Sequence, residues 1–436
     1  MSSSVIDFSA HRASVLTRLA NDEAMLLFGG PHHHRNADCE YKYRPHSDIF
    51  WLSGWRQPEI ALFLRPGEKP FVIFCQEKDE KMEMWTGYRP GTQGAISDFD
   101  ANDAHPYDTL SEKLPALLQG VSTLHYNFGM DPDLDGVLMA SIAKSQRLSR
   151  ESFAATPETF RSPSWLLHEL RLIKNSAEIA TMRKAAAITA KAHIAAMGAA
   201  EPGGNERQLD VLIDYTMRNN GAIGSGYTNI VAAGTNATTL HYIDNDQPID
   251  DGDLILIDAG AEVGYYTADV TRTFPANGKF SPLQRDAYNW VLKAMEASIA
   301  ACTVGTPYTE IHAASVTVLT EAMIALGLLT GSIEDRIADK AYKKYFPHGT
   351  SHWLGLDVHD VGTYVRDNAS RLLMAGMVLT VEPGLYIPID DETAPEELRG
   401  LGIRIEDDIL ITENGPDNLT IAIPKSVAAV EAACQS

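Results

Sequence analysis

"DGDLILIDAGAEVGYYTADVTRTF", residues 251–274, is the stretch on which the fold of the second half turns. An apolar run over 254–257 ends in Asp258, and a second β-rich run over 266–273 carries Asp269. The pattern predicts two strands, 254–259 and 266–273, joined by a turn around 261–264. With the hairpin centred between Val263 and Gly264, Asp258 lies directly opposite Asp269. Opposed residues share a face, with Cβ atoms roughly 4.5–5.5 Å apart. Two carboxylates that close repel by about 3–4 kcal/mol at an effective dielectric of ~20. A cation or a shared proton resolves the conflict, whereas two aspartates on exposed positions would need neither. The apolar run leading straight into Asp258 favours the cation.

Two further carboxylates follow apolar strands. "GMVLTVEPGLY" places Glu382 after Val378, Leu379 and Val381, and "LGIRIEDDILI" sets Glu406 after Ile405. A buried glutamate needs a partner or an ion. For Glu406 a same-face salt bridge with Arg404 is the competing reading. "PHGTSHWLGLDVHD" (347–360) adds His348, His352 and His359. His348 and His352 have the spacing of HExxH, but Gly349 replaces the glutamate, and Gly-Thr-Ser disfavours a helix. In an extended strand His348 and His352 share a face. One histidine beside four carboxylates makes a donor set too large for a single catalytic ion and suited to two.

The rest of the chain sets the frame. At 436 residues it exceeds one ordinary core, so two domains are expected. Its 36 Lys+Arg against 58 Asp+Glu give a formal charge of −22, which argues against nucleic-acid or anionic-membrane surfaces. No apolar run approaches the roughly 20 residues of a membrane span, and the first residues lack a signal-peptide pattern. Cys39, Cys75, Cys302 and Cys434 are scattered, as in a reducing cytosol, so the Asn-x-Thr triplets at Asn236 and Asn418 read as chance matches. Residues 1–173 read as an α/β domain, with a strand at 24–30, a hairpin at 60–75, another strand in "STLHYNFG", helices near 10–20 and 133–147, and a linker at 156–165. "PHHHR" (31–35) reads as a solvated loop, because neighbouring residues of a strand cannot all face one ion. Residues 174–436 read as α+β. Helices follow Asn175, Ser281 and Thr306-Pro307, and β-rich stretches at 253–274, 348–366, 377–389 and 401–412 feed one sheet.

The order and spacing of Asp258, Asp269, His352, Glu382 and Glu406 resemble the pita-bread metallopeptidases, the creatinase/aminopeptidase-like group. "HGTSHWLGLDVHD", "VEPGLY" and "GIRIEDD" are similar to its aminopeptidase P branch. So are "NADCEYKYRPHSDIFWLSGW" (36–55), "EMWTGYR" (83–89) and "LHELRLIKN" (167–175), so the resemblance covers nearly the whole chain. It implies an α/β N-terminal domain ahead of an α+β pita-bread catalytic domain. It also implies a Xaa-Pro aminopeptidase that releases the first residue of peptides with proline second. All five residues would be metal ligands, with Asp269 and Glu406 bridging two divalent ions, usually manganese, with cobalt or zinc as alternatives. Glu382 would carry the proton, His359 would contact the scissile carbonyl, and His241 would line the pocket. His348, Tyr386 and Arg404 would support substrate and ligands. Trp85 would reach a neighbouring subunit's site in a dimer or tetramer. The segment 222–239 departs from the family pattern. The rivals are a dipeptide-only prolidase, a non-catalytic peptide-binding relative and, more remotely, a two-metal phosphoesterase. A cytoplasmic location is expected.

Overall fold

The computed structural model describes residues 6–435. The chain divides into two compact units between Leu170 and Arg171. The first is built on a six-stranded mixed sheet. Its central hairpin pairs Ala61–Leu64 with Phe71–Cys75, every residue of which is buried. Glu23–Phe28 pairs antiparallel with Ala61–Leu64 and parallel with Thr123–His125. Apolar runs of this length suit strands covered on both faces. The Pro132–Ser152 helix packs on this core, capped by Asp131, whose carboxylate accepts from the Asp133 and Leu134 amides.

Two expectations for this unit need correction. The presumed linker contributes Thr159–Arg161, an exposed edge strand parallel to Thr123–His125. Its flanking prolines bound a strand because an edge leaves one row of N–H groups unneeded. The tri-His stretch is not a simple loop. His34–Asn36 pairs with Cys39–Glu40 in a small exposed hairpin, where His32 Nδ1 lies 3.3 Å from a Glu40 carboxylate oxygen.

In the second unit, helices Ser176–Ala199 and Pro282–Ala301 begin in capping boxes, Asn175 with Glu178 and Ser281 with Gln284. Tyr308–Ala325 follows Pro307, and Glu206–Asn219 is a further helix, started by Asn205 and Gln208. Strand alternation sorts the core. Ile255 and Ile257 join Tyr288, Met295, Leu319 and Leu379 in the main core. Leu256, on the other face with Asp258, joins Ile230, Ala232 and Tyr386.

The strands do not form one sheet, contrary to expectation. They form two broken hairpins, each interrupted midway. In the first, Leu254–Asp258 pairs with Thr271–Pro275, and Ala261–Val263 pairs with Tyr266–Thr267. In the second, Val378–Val381 pairs with Asp407–Thr412, and Gly384–Tyr386 pairs with Gly402–Arg404. Local sterics fix the breaks. A Cβ on Gly260 would lie 1.7 Å from the Ala268 carbonyl oxygen, so only glycine admits that approach. In the second hairpin Pro383 has no N–H to donate.

The register of the first hairpin also differs from expectation. Asp258 opposes Thr271, not Asp269. Gly264 and Tyr265 both have positive φ, 55° and 65°, which makes a two-residue turn of the primed kind and moves the centre to between them. A shift of two partners preserves parity, so Asp269 stays on the face of Asp258, displaced diagonally. The stretch 348–366 contains regular strand only at Val365–Arg366. Residues 350–354 nevertheless run beside 378–382, through Glu382 N–H to Thr350 O (2.8 Å), Thr380 N–H to His352 O (3.0 Å) and Leu354 N–H to Val378 O (3.0 Å).

Candidate metal centre

The hairpin breaks are where the carboxylates sit. Asp258 ends its strand, Asp269 lies between Tyr266–Thr267 and Thr271–Pro275, Glu382 follows Val381, and Glu406 precedes Asp407. Interrupting the ladders frees backbone donors to tie the hairpins together. Glu406 N–H donates to Thr271 O at 3.0 Å, and Asp269 N–H donates to the Asp408 carboxylate at 3.2 Å.

Asp258, Asp269, His352, Glu382 and Glu406 face one cavity of about 440 Å³, together with His241, His348, His359 and Arg404. Donor atoms of Asp269, His352 and Glu406 all lie within 4.8 Å of one another. His352 Nε2 is 3.3 Å from Asp269 Oδ2 and 3.7 Å from Glu382 Oε1. Its ring packs edge-on to His359, with centroids 4.5 Å apart. His348 Nε2 bonds the Tyr386 hydroxyl at 2.9 Å. Arg404 does not pair with Glu406, contrary to the competing reading. Its guanidinium donates to Asp258 Oδ2 at 2.7 Å, to the Tyr386 hydroxyl at 3.1 Å and to Thr271 Oγ1 at 2.9 Å. Trp85 lies in the first unit, on the Glu80–Thr86 helix, and is 83% exposed.

Two contributors were not visible in the sequence. The Tyr227 hydroxyl lies 2.6 Å from Asp258 Oδ1 and 2.5 Å from Asp269 Oδ1. Thr271 donates its hydroxyl to Glu406 Oε2 at 2.7 Å. Tyr227 falls in the segment that departs from the family pattern, and its only local cue is a position just ahead of the apolar strand Ile230–Ala233.

Electrostatics show what the donors lack. Burial pushes the Glu382 carboxyl up to about 7. Burial and then the Asp269 charge raise Glu406 well above the usual carboxylate range. Burial also raises Asp258, against the pull of Arg404. For Asp269, burial is outweighed by the His352 hydrogen bond and charge, and its pKa falls. In turn burial's downward push on His352 is outweighed by Asp269, and the imidazole rises to about 9. Arg404 is the single guanidinium facing four carboxylates, and one tyrosine proton cannot satisfy two ionised aspartates. This oxygen-rich set with one imidazole fits divalent metal.

The fold and site thus define a class: a protein whose two broken hairpins bring together a donor set that could hold divalent metal. Residues 180–413 match metallopeptidase family M24, and residues 8–126 match the aminopeptidase P N-terminal domain. The chain belongs to metallopeptidase family M24. It is 40% identical to the Xaa-Pro aminopeptidase of Escherichia coli K12, over 98% of this chain and 97% of the relative. It is 38% identical to that of Haemophilus influenzae, over 98% and 96%. Among solved structures, Pseudomonas aeruginosa aminopeptidase PepP superposes with a TM-score of 0.95 at 42% identity, covering 98% of this chain and 97% of that one. A substrate complex of an E. coli aminopeptidase P variant gives 0.94 at 39% identity, covering 98% and 97%. The fold is accordingly an α/β N-terminal domain and a pita-bread catalytic domain. Among the described residues, no helix is long and apolar enough to cross a membrane.

Proposed function

We propose that this chain is a Xaa-Pro aminopeptidase that releases the first residue of peptides with proline second. The observation that carries the reading is the convergence of five oxygen and nitrogen donors on one cavity at two hairpin breaks. The near-full-length likeness to Xaa-Pro aminopeptidases supports it. Asp258, Asp269, His352, Glu382 and Glu406 would hold two divalent ions, manganese in preference to cobalt or zinc. Bound there, such ions supply Lewis acidity and water acidified towards neutrality.

The chain's own groups do the rest. Glu382, as an ionised carboxylate, would take the proton that the attacking water gives up and pass it to the departing proline nitrogen. That nitrogen belongs to a tertiary amide with no N–H, so recognition falls on the carbonyl and the ring. His359 lines the cavity next to His352 and reaches the scissile carbonyl oxygen. His348 and Tyr386, bonded to each other, form a wall for substrate, and His241 lines the same cavity. Arg404 orients Asp258 and Tyr386. Trp85, exposed on its short helix, would complete the site of a neighbouring subunit in a cytoplasmic homo-oligomer.

A panel of Xaa-Pro and Xaa-Pro-Yaa peptides, assayed on metal-stripped protein after adding manganese, cobalt or zinc, tests the reading. Metal-dependent cleavage of the tripeptides is expected. Cleavage of dipeptides alone would make the protein a prolidase, and full activity in chelator would end the metal reading.

A further inference from the structure

The loop that carries His359 has no sheet ladder to hold it. Residues 354–360 contain no regular strand, and the loop closes through Asp360 N–H to Trp353 O at 2.9 Å. What anchors it is a buried ionic lock. Asp360 Oδ1 accepts from Arg171 at 2.6 Å and Asp360 Oδ2 from Lys174 at 3.0 Å. The three side chains are 1–2% exposed. Arg171 also donates to Asp357 at 2.9 Å, at the other side of Val358 and His359. Asp357 and Asp360 are thus joined across the loop's tip, both on the Arg171 guanidinium. Space confirms how closely the lock is fitted. A Cβ on Gly355 would lie 2.1 Å from Asp360 Oδ2 and 3.0 Å from the Lys174 side chain. Two motifs meet here for which the metal centre has no use, "LRLIKN" (170–175) and the aspartates of "DVHD" (357–360).

We propose that Asp360, locked between Arg171 and Lys174, is the positioning residue for His359 and sets the imidazole's place over the scissile carbonyl. The proposal rests on the function assigned to His359 above. His359 lines the cavity while the next residue, Asp360, is held in the interior, so fixing the Asp360 carboxylate fixes the backbone that carries the His359 ring. Buried charges hold this geometry strongly because losing one partner strands the other in low dielectric. Burial raises the Asp360 carboxyl, but Lys174 and Arg171 outweigh it and leave it below its usual value, so the lock stays ionised at neutral pH. Asp360 touches neither substrate nor ion, and its effect belongs on turnover, not on metal retention.

The test is a double-mutant cycle on the metal-loaded protein with Asp360→Asn, His359→Ala and the pair, reading metal content, kcat and KM on a Xaa-Pro-Yaa tripeptide. Asp360→Asn is expected to keep its metal and lose kcat by about 10–100-fold, with KM little changed. In the His359→Ala background the same substitution should cost no more than about twofold, because its route of action is already gone. Equal losses in both backgrounds, or metal loss that accounts for the drop, would overturn the proposal alone. Wild-type turnover in His359→Ala would remove the role given to His359 and this proposal with it. If Asp360→Asn does not fold, Lys174→Gln, which keeps the Arg171 pair, takes its place under the same criterion.

Discussion

Three histidines of one short segment meet three different environments. His352, beside Asp269 and Glu382, is raised to about 9 once burial is overcome. His348 is pushed down to about 4 by burial and Arg404, and burial also lowers His359. An imidazole drawn to two carboxylates is the one that an ion would replace a proton on. One held neutral is suited to accept or donate a hydrogen bond to substrate. His352→Ala should therefore lose bound metal, while His359→Ala should keep it and lose turnover. Metal content of the two purified variants decides the matter, and metal loss from His359→Ala alone would reverse the roles. The spacing His-x3-His-x6-His could not make this distinction, since the neighbours that separate the rings come from other hairpins.

Each broken hairpin contributes two carboxylates because the break turns side chains out of the pleat and leaves backbone donors for cross-links. The cost falls unevenly on the four acids. Asp258 has Arg404 and Tyr227 for partners, and Asp269 has His352 and Tyr227. Glu406 has the Thr271 hydroxyl and a set of like charges, so burial, reinforced by those charges, lifts its pKa well above the usual carboxylate range. Glu406→Gln should therefore leave the metal-free protein as stable as wild type or more so. It should also narrow the gap between metal-bound and metal-free melting midpoints, since binding stabilises the folded state by about 2.7 kcal/mol at a hundredfold excess over Kd. Melting curves with manganese and with chelator measure both quantities. An unchanged gap would show that Glu406 is not a ligand.

For the whole molecule, acid stability has a specific buried source away from the cavity. His193, fully enclosed on the Ser176–Ala199 helix, bonds the Ala259 carbonyl oxygen through Nε2 at 3.0 Å. Burial pushes its pKa down to about 4 from an ordinary 6.5. Between those values the unfolded chain binds the extra proton, so stability rises with pH. The contribution is complete above about pH 6.5 and is lost as pH falls towards 4, a change of up to roughly 3 kcal/mol. His193→Gln, which keeps a donor for Ala259, should flatten the dependence of unfolding free energy on pH over that window. Denaturant unfolding at several pH values reads the slope, and an unchanged slope would assign the acid sensitivity elsewhere.

Elements whose causes are local are legible in the amino-acid sequence. Capping residues and apolar periodicity fixed the Ser176–Ala199 and Pro282–Ala301 helices, and apolar runs ending in carboxylates marked Asp258, Glu382 and Glu406. Parity is independent of register here, so Asp258 and Asp269 share a face although the two-residue turn shifts their partners by two. Packing alone sets Tyr227 between the aspartates and turns Arg404 to Asp258 instead of Glu406. Those outcomes depend on contacts between residues far apart in the chain, Tyr227 with Asp269 and Arg404 with Asp258. Hydrophobic periodicity reports which face a residue takes. It carries no record of which distant polar group will meet it there, because that pairing is set by how the hairpins and helices pack.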